Sequence, residues 1–381
     1  RAGPAKNAMR DLEMNVWKEQ IVEPLHPPAL NKNVPDVSLR LEHVYGYKCE
    51  GMRGNIRYAE DGQIVFTAGT MGVSMNRSDK KQSFYRVHDD AIVSFAADRS
   101  GVFVATGQLG EAPKITVWRT KTMKAVWTSP DLQEASVSCL VFGERGLLAA
   151  AGVDDDHTIS IYDWKRNMLV CRTYSGANHI SALAFSPDCN ELLAVGVKTI
   201  MLWDTTNRVM SPMRPVLGSQ GRVQAHLCCC YFTGQPVVGT SDGNLYFLKD
   251  NALEKAMQAH DGPVNAMHVS VSGKQLVTGG RDGAIRIWNT KHDCVKELFL
   301  QKIVPKAESF RIKGVAFHND EGTVVVGTRG AEILEVEVKS GTIFGNGVLL
   351  NGHGCRELHG LAMHPKKDQF VTCGDDSTMR V

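Results

Sequence analysis

Short apolar segments alternate with small polar turns along most of this chain, and the pattern repeats every 41 to 48 residues. Each unit contains a short apolar strand, a Gly-containing turn, a second strand that ends on a large anchor residue, and a charged tail. The anchors are Trp118, Tyr162, Trp203, Phe247, Trp288 and Val336. Four short strands per unit at this spacing are typical of WD repeats, in which each blade buries its faces only against its neighbours. The pattern therefore predicts an all-β WD-repeat β-propeller.

The unit that ends at Trp288 follows the WD-repeat pattern most completely. A His precedes its first strand, a Thr lies on its second, an Asp lies in a tight turn and a Trp ends its third. Side chains of these types can form a hydrogen-bonded chain through one blade. The sequence predicts such a structural network of His260, Thr278, Asp282 and Trp288, with Gly283 supplying the positive φ that the turn needs.

Counting third strands gives seven complete blades and an eighth that is cut off at the end of the sequence. A seven-bladed ring is the expected size, and a larger ring is the alternative. A half-buried strand is also predicted over Ser38–Tyr45, where apolar and polar residues alternate. Either this strand or the trailing one closes the ring. We expect the propeller to occupy 59–350, and 351–381 to form a further, truncated blade that closes this ring or opens a second.

Residues 1–37 lack the repeat. Asn7–Val22 fits one short amphipathic helix with Trp17 on its apolar side, and the Pro-rich stretch that follows favours an extended track. One interpretation is a disordered leader. The other is an irregular N-terminal arm that lies along a partner and contacts it through Trp17. Because the chain begins with Arg1 and stops within a strand, we expect it to be a piece of a longer polypeptide.

Composition excludes several function classes. The chain has 381 residues, 43% of them hydrophobic, and a formal net charge of +2, so no polycationic surface for nucleic acid is expected. No apolar run is long enough for a membrane span, and no segment has the pattern of a secretory signal. The ten cysteines have no CxxC spacing, and several lie in apolar strands, as buried free thiols do. We expect a cytoplasmic protein with no disulfide, no metal and no other cofactor, and with neither nucleic acid nor membrane as a partner.

No motif for catalysis stands out. Gly239–Gly243 matches the G-x-S-x-G spelling of a hydrolase elbow, but that motif joins a strand to a helix, whereas two strands are predicted here. Asp154, Asp155 and Asp156 fall in a predicted turn, without a second acidic cluster to complete a metal site. The sequence contains no phosphate-binding P-loop and no dinucleotide-binding fingerprint. We predict that the protein is not an enzyme.

What remains is surface recognition, and the repeat register orders the charged turns. Residues that follow each anchor fall between third and fourth strands and therefore share one face of the disc. This candidate basic face carries Arg77, Lys80, Lys81, Arg119, Lys121, Lys124, Lys165, Arg166, Arg208, Lys249 and Lys291. Turns between second and third strands open on the other face, with Asp154, Asp155, Asp156, Asp242, Asp282, Asp375 and Asp376. If the charges are distributed in this two-sided way, the basic face suits an acidic partner. The alternative is that these residues are ordinary charged turns in contact with solvent.

Two segments before the repeats, Leu39–Tyr47 and Arg53–Tyr58, carry a Val-Tyr-Gly-Tyr stretch and an Arg-x-Asn step. They resemble the hydrophobic motif that precedes the propellers of echinoderm microtubule-associated protein-like (EMAP-like) proteins, which places that motif at 38–58. Further segments are similar as well, namely Val104–Gln108, Val195–Lys198, Gly279–Gly283 and Ala362–Lys367. The resemblance covers about residues 38–381.

This resemblance implies a non-enzymatic protein that binds tubulin or microtubules in the cytoplasmic cytoskeleton, and a second propeller joined to the first. The Pro-rich arm and the lack of coiled-coil heptads favour a ciliary or flagellar member on axonemal doublets, with other axonemal proteins as further partners. The alternative is a general WD-repeat scaffold that binds peptides or cytoskeletal proteins without touching tubulin. The predicted tubulin contacts are Arg77, Lys80, Lys81, Arg119, Lys121, Lys124, Lys165, Arg166 and Trp17.

Overall fold

A computed structural model describes residues 22, 24–26, 33, 37–110, 113–130, 136–207, 209–345, 347–354 and 357–381. Within these residues, 31 strands form eight small antiparallel sheets, of which seven have four strands and the last has three. In every sheet each strand pairs with the next strand along the chain. This arrangement confirms the prediction of an all-β WD-repeat propeller.

The first four sheets follow one another along the chain. Sheet 1 contains β1 (Ile56–Tyr58), β2 (Ile64–Ala68), β3 (Met71–Met75) and β4 (Gln82–Tyr85). Sheet 2 contains β5 (Ile92–Ala97), β6 (Phe103–Gln108), β7 (Ile115–Arg119) and β8 (Lys124–Thr128). Sheet 3 contains β9 (Val137–Phe142), β10 (Leu147–Gly152), β11 (Thr158–Asp163) and β12 (Met168–Tyr174), with a 3-10 turn at Glu144–Gly146. Sheet 4 contains β13 (Ile180–Phe185), β14 (Glu191–Gly196), β15 (Thr199–Asp204) and β16 (Ser211–Met213).

The remaining sheets continue the same order. Sheet 5 contains β17 (His226–Phe232), β18 (Gln235–Thr240), β19 (Asn244–Lys249) and β20 (Ala252–Gln258). Sheet 6 contains β21 (Val264–Val269), β22 (Leu276–Gly280), β23 (Ala284–Trp288) and β24 (Cys294–Phe299), and a short helix α1 (Leu300–Ile303) follows it. Sheet 7 contains β25 (Ile312–Phe317), β26 (Thr323–Thr328), β27 (Glu332–Glu337) and β28 (Leu350–Asn351). Sheet 8 contains β29 (Leu358–Met363), β30 (Phe370–Gly374) and β31 (Met379–Arg380).

The seven four-stranded sheets close a ring. The first strand of each sheet contacts the first strand of the next from β5 to β25, and β25 in turn contacts β1. The predicted anchors all lie in third strands, and none is more than 4% exposed. Second and third strands of the ring are buried along most of their length, because a neighbouring blade covers each face. Sheet 8 follows this closed ring, and most of the residues of β29 are exposed.

The segment before β1 fills the junction between sheets 7 and 1. Tyr47 is buried there, and its hydroxyl donates to Asn55 Oδ1 at 2.7 Å. Asn55 is fully buried, and its amide donates to Lys48 O at 2.6 Å and Thr67 Oγ1 at 3.0 Å. A Cβ at Gly327 of β26 would lie 2.4 Å from the Tyr47 hydroxyl, so a larger residue at this position would displace the Tyr47 side chain. The Val-Tyr-Gly-Tyr and Arg-x-Asn segments thus supply a hydrogen-bonded pair that fastens the ring.

The prediction of a strand over Ser38–Tyr45 is wrong. These residues form no regular strand, and Leu39 is fully exposed. The backbone of Val44 instead bonds to one side chain, since its N–H donates to Gln82 Oε1 at 2.8 Å and its carbonyl accepts from Gln82 Nε2 at 3.0 Å. A glutamine therefore takes the place that a partner strand would have filled.

Residues 1–41 form a unit separate from 42–381. Its described residues, at 22, 24–26, 33 and 37–41, have no regular secondary structure. The predicted helix over Asn7–Val22 lies outside the described residues except for Val22. In the part of the chain that the structure describes, no helix combines the length and hydrophobicity that crossing a bilayer requires.

Candidate interaction surface

Two kinds of turn share one face of the ring. A cavity of about 540 Å3 is lined by the first-to-second-strand turns at 98–100 and 143–146 and by the third-to-fourth-strand turn at 164–165. We call this the front face, and the face with the second-to-third-strand turns the back face. The structure places the predicted basic residues in or beside front-face turns: Arg77, Lys80, Lys81, Arg119, Lys121, Lys124, Lys165 and Arg166.

Arg77 is engaged inside the protein. Its Nε lies 2.8 Å from Glu335 Oε1, and the Glu335 side chain is only 1% exposed. Glu335 also accepts a hydrogen bond from the Tyr58 hydroxyl, and the Arg77 guanidinium lies 4.9 Å from the centre of the Phe344 ring. A buried carboxylate requires partners of this kind, and removing one is strongly destabilising. Arg77 therefore fastens sheet 1 to sheet 7, which favours a structural role over contact with a partner.

The other basic residues concentrate on sheets 2 and 3. We define the basic sector as Arg119, Lys121, Lys124, Arg145, Lys165 and Arg166, all of which are exposed. Among them only Arg166 has an ion pair within the described chain, to Asp163 at 3.2 Å. Arg145 was not among the predicted residues, because the basic face was assigned only from the turns that follow the anchors. Extending the repeat register to the first-to-second-strand turns would have found it.

Sheet 1 adds two exposed lysines next to this sector. The Lys80 ammonium donates to the Val348 carbonyl at 3.2 Å, and Lys81 has no ion pair in the described chain. Both side chains remain on the surface, so either can also meet a partner on the front face.

Acidic residues are also present on the front face, including Asp98 and Glu144 in the turns of sheets 2 and 3. The first-to-second-strand turns carry Glu60, Asp61, Asp98, Glu144, Asp188, Asp320 and Glu321. Several stabilise their own turns, as Asp98 does by accepting from the Phe103 amide at 2.7 Å. Glu321 accepts from the Ser272 amide of the neighbouring sheet, also at 2.7 Å. Exposed front-face cations also occur on sheets 5, 6 and 7, but they are densest on sheets 1 to 3.

An aromatic groove lies beside the basic sector. The same cavity of about 540 Å3 has Phe103, Phe142, Trp164 and Phe185 among its lining residues. The Trp164 Nε1–H is buried and has no hydrogen-bond partner among the described residues. Lys165 Nζ lies 5.6 Å from the centre of the Trp164 ring. An apolar side chain flanked by carboxylates would match this combination of aromatic rings and cations.

The back-face acids are less available than their number suggests. Asp154 accepts from the Thr158 amide at 2.7 Å, and Asp242 accepts from the Thr240 hydroxyl at 2.6 Å. Hydrogen bonds from Thr240 and neighbouring groups offset burial and lower the pKa of Asp242. Asp155 and Asp156 remain exposed. Much of this acidity is thus used to hold turns.

The residues of the predicted blade network are brought together in sheet 6. His260 Nδ1 lies 3.0 Å from Asp282 Oδ1, and His260 Nε2 lies 2.8 Å from Thr278 Oγ1. Trp288 Nε1 donates to the Thr278 hydroxyl at 3.0 Å. Asp282 also accepts from two backbone amides, each at 3.1 Å. These hydrogen bonds join the loop before β21 to the second and third strands of sheet 6.

Protonation in this network follows from burial. Burial would raise the pKa of Asp282, but hydrogen bonds from His260 and Arg286 outweigh it and hold the pKa below its ordinary value. Burial lowers the pKa of His260 more than the nearby carboxylate raises it. The lowered pKa favours a neutral imidazole; with its proton on Nδ1, His260 donates to Asp282 and its Nε2 accepts from the Thr278 hydroxyl.

Related networks recur in other sheets. In sheet 2, His88 Nδ1 lies 2.7 Å from Gln108 Oε1, so a glutamine replaces the aspartate. In sheet 8, His353 Nδ1 lies 2.8 Å from Asp376 Oδ2. Sheet 4 has Ala194 at the register position of Thr278, and the buried Trp203 Nε1 has no partner there among the described residues.

The structure also places the G-x-S-x-G match, the cysteines and the possible metal ligands that the sequence analysis considered. Ser241 of the G-x-S-x-G match lies in a turn between two strands, and its hydroxyl donates to Gln224 Oε1 at 2.8 Å. The described cysteines are free thiols, and burial raises the pKa of Cys139 to about 12 and of Cys171 to about 11. No group of three His, Cys, Asp or Glu side chains within the described ranges is arranged to hold a metal ion. Trp17 and Arg208 lie outside the described residues.

Family profiles match nearly all of the chain after the N-terminal arm. The profile described as "Echinoderm microtubule-associated protein first beta-propeller" matches residues 81–336. The "HELP motif" profile matches residues 34–73, and a "WD domain, G-beta repeat" profile matches residues 347–381.

Several curated proteins are similar over most of this chain. "Echinoderm microtubule-associated protein-like 2" of Rattus norvegicus is 27% identical, and the match covers 100% of this chain and 59% of that protein. The "77 kDa echinoderm microtubule-associated protein" of Lytechinus variegatus is 26% identical, over 91% of this chain and 53% of that protein. "Ciliary WD repeat-containing protein ctxp80" of Euplotoides octocarinatus is 27% identical, over 96% of this chain and 52% of that protein. The chain thus spans little more than half the length of these relatives.

Solved structures agree on the fold. The computationally designed Ika8 protein superposes with a TM-score of 0.59 at 16% identity, over 88% of this chain and 97% of that one. A chain of the mitotic checkpoint complex superposes with a TM-score of 0.63 at 14% identity, over 81% of this chain and 99% of that one.

Proposed function

Because this chain belongs to the echinoderm microtubule-associated protein family, we propose that it is a non-enzymatic microtubule-associated protein whose front face binds tubulin. The proposal rests on the basic sector beside the aromatic groove. Relatives named as microtubule-associated proteins match the chain over 91% to 100% of its length. A protein of this kind acts by holding a partner, so it needs a complementary surface and no catalytic group.

Charge supports the choice of surface. Tubulin presents an acidic outer surface, and the basic sector offers it six exposed cations within two adjacent sheets. Complementary charge raises the association rate and orients the complex. The groove beside Trp164 adds apolar contact area, which supplies affinity that screened surface charges alone do not.

A ciliary location is the finer part of the proposal. It is supported by the match to a protein named as a ciliary WD repeat-containing protein. On this proposal the chain binds axonemal doublet microtubules, and other axonemal proteins contact the surfaces that tubulin leaves free. Antibody localisation in ciliated cells tests it, because cytoplasmic filaments stained without the axoneme would contradict it.

Co-sedimentation with stabilised microtubules tests the contact surface. Reversing Lys121, Lys124, Lys165 and Arg166 to Glu should weaken binding about tenfold or more, because attraction becomes repulsion at the interface. The matched control reverses four exposed front-face lysines of sheets 5, 6 and 7, namely Lys249, Lys274, Lys291 and Lys339. The same change in net charge should have a much smaller effect there. Binding of the parent should also weaken as salt reduces the screening length to about 8 Å.

The same assay separates the alternatives. If both quadruple variants bind like the parent while a chain that begins at Ser38 does not, the N-terminal arm carries the attachment and the front-face proposal is wrong. If the parent itself fails to sediment with microtubules, this part of the protein does not contact tubulin, and a scaffold that binds other proteins becomes the better interpretation.

A further inference from the structure

The central channel of the ring holds two arginines that have no carboxylate partner in the described part of the chain. Arg53 lies in the loop before β1 and Arg57 lies in β1, and both line a cavity of about 280 Å3. The cavity opens at the back face, because its lining includes Ser136 and His179, which immediately precede the first strands of sheets 3 and 4. Within the described residues, no Asp or Glu lines it.

The hydrogen bonds of Arg57 leave its charge uncompensated. Its Nη1 donates to Ile56 O at 2.8 Å and to Gly54 O at 3.1 Å. Its Nε and Nη2 have no hydrogen bond within the described chain, and neither arginine forms an ion pair there. Carbonyl oxygens carry only part of a negative charge, so a guanidinium held by them alone remains costly to bury.

The pKa shifts in this cavity reflect burial and nearby positive charge. His179 lies in the same cavity, and burial together with the nearby charges of His157 and Arg53 lowers its pKa. Burial also lowers the pKa of Arg57, to about 10. Arg53 reaches solvent inside the cavity, yet the surrounding protein is dense enough to lower its pKa as well. No carboxylate among the described residues counteracts these shifts.

We propose that this channel cavity is a binding site for a small oxyanion of the phosphate type, held between Arg53 and Arg57. A guanidinium presents paired N–H donors that match the oxygens of phosphate. The Ser181 hydroxyl lines the same cavity and supplies another donor. A volume of about 280 Å3 lies just below the range typical of drug-sized ligands, which favours a small ion or compact phosphate ester. The site is independent of the front face that carries the proposed tubulin contact.

Isothermal titration calorimetry with inorganic phosphate at constant ionic strength tests the proposal. We expect saturable binding of one phosphate per chain, and a rise in the melting temperature that chloride at the same ionic strength does not give. Arg53→Gln and Arg57→Gln should each weaken phosphate binding about tenfold or more, because each removes charged hydrogen bonds to the anion. Arg281→Gln is the matched control, since Arg281 is an exposed arginine in a back-face turn outside the cavity.

Each outcome decides the matter. Equal effects of phosphate and chloride, or equal losses in Arg53→Gln and Arg281→Gln, would overturn the proposal. Acetate tests the type of anion, because binding as tight as that of phosphate would mean a general carboxylate site. Glycerol 3-phosphate distinguishes a free phosphate site from one that takes a phosphate ester. If Arg57→Gln reduces the folded fraction, Arg57→Lys keeps the charge, and Arg53→Gln still tests the site.

Discussion

Sheets 6 and 8 contain the same hydrogen-bonded network in two different surroundings. In sheet 6, His260 connects Asp282 to Thr278 at 3.0 and 2.8 Å. In sheet 8, His353 connects Asp376 to Thr372, with both distances 2.8 Å. The two turns also agree, since Asp282 accepts from Ala284 N and Asp376 from Thr378 N. The network therefore forms wherever the local sequence provides its members.

The surroundings of the two networks differ. The first strand of sheet 6 is mostly buried, whereas that of sheet 8 is mostly exposed. Trp288 is 4% exposed and completes the network of sheet 6. Sheet 8 contacts the rest of the molecule through pairs such as Tyr45 and Phe370, whose ring centroids are 5.6 Å apart. The hydrogen-bonded network specifies the local conformation of a blade. How much the network contributes to the stability of the protein depends on whether neighbouring blades bury it.

The largest expected effect is in the buried network. Asp282→Ala removes the acceptor of His260, Arg286 and two backbone amides, so it should destabilise the ring by about 2 to 3 kcal/mol. Asp376→Ala should leave the main unfolding transition nearly unchanged, because sheet 8 lies outside the closed ring. Urea unfolding followed by tryptophan fluorescence measures both.

Asp261→Ala is the control for this comparison, since Asp261 is exposed beside the same turn. Its side chain has no hydrogen bond in the described chain, so its removal should change the free energy of unfolding by less than about 0.5 kcal/mol. Equal losses for Asp282→Ala and Asp376→Ala would mean that sheet 8 unfolds together with the ring.

A smaller effect is expected from acid. Burial lowers the pKa of His260 in the folded protein, so the unfolded chain takes up the proton first as pH falls through about 6.5. This contribution to stability is present above that pH and is lost below it. It should be smaller than the effect of Asp282→Ala, because a protonated His260 still donates to Asp282.

Urea unfolding at pH 7.5, 6.5 and 5.5 measures this dependence in the parent and in His260→Gln. The variant should lose less stability between pH 7.5 and 5.5 than the parent does. The lowered pKa of Asp282 does not contribute in this window, since its stabilisation is lost only as pH falls through the ordinary range of a carboxyl and below. Parallel pH profiles would contradict the neutral state assigned to His260.

The smallest expected effect concerns one turn position. Gly283 has φ 75° in sheet 6, and Ser377 has φ 60° at the same position in sheet 8. Ser377→Gly should relieve the left-handed strain, but it also increases the freedom of the unfolded chain, so the net change should be within about 1 kcal/mol. Gly283→Ser should cost more, because a Cβ there would lie 2.8 Å from Phe310 Cβ. Thermal unfolding followed by circular dichroism compares the two. A larger change from Ser377→Gly than from Gly283→Ser would contradict the assignment.

Particular residues mark the limit of prediction from the sequence. The structure brings the four members of the predicted sheet 6 network together, and WD-repeat spacing is what places them within one blade. The related network of sheet 2 was missed, since Gln108 replaces the expected aspartate. Arg77 follows an anchor like the other predicted contacts, yet it is paired with Glu335, which is 258 residues away in the sequence. Nothing in the local pattern indicates that partner.

The sequence by itself determined the fold class, the repeat length, the positions of the anchors and the turns, because these depend on interactions within about 40 residues. Only the tertiary structure decided how the ring closes, which cations remain exposed and which are paired, and that Arg53 and Arg57 share one cavity. These features join residues from opposite ends of the chain, such as Tyr47 and Gly327. Such pairs meet only when the ring closes, and closure depends on how all seven blades are placed relative to one another. The repeat pattern within one blade does not determine that placement.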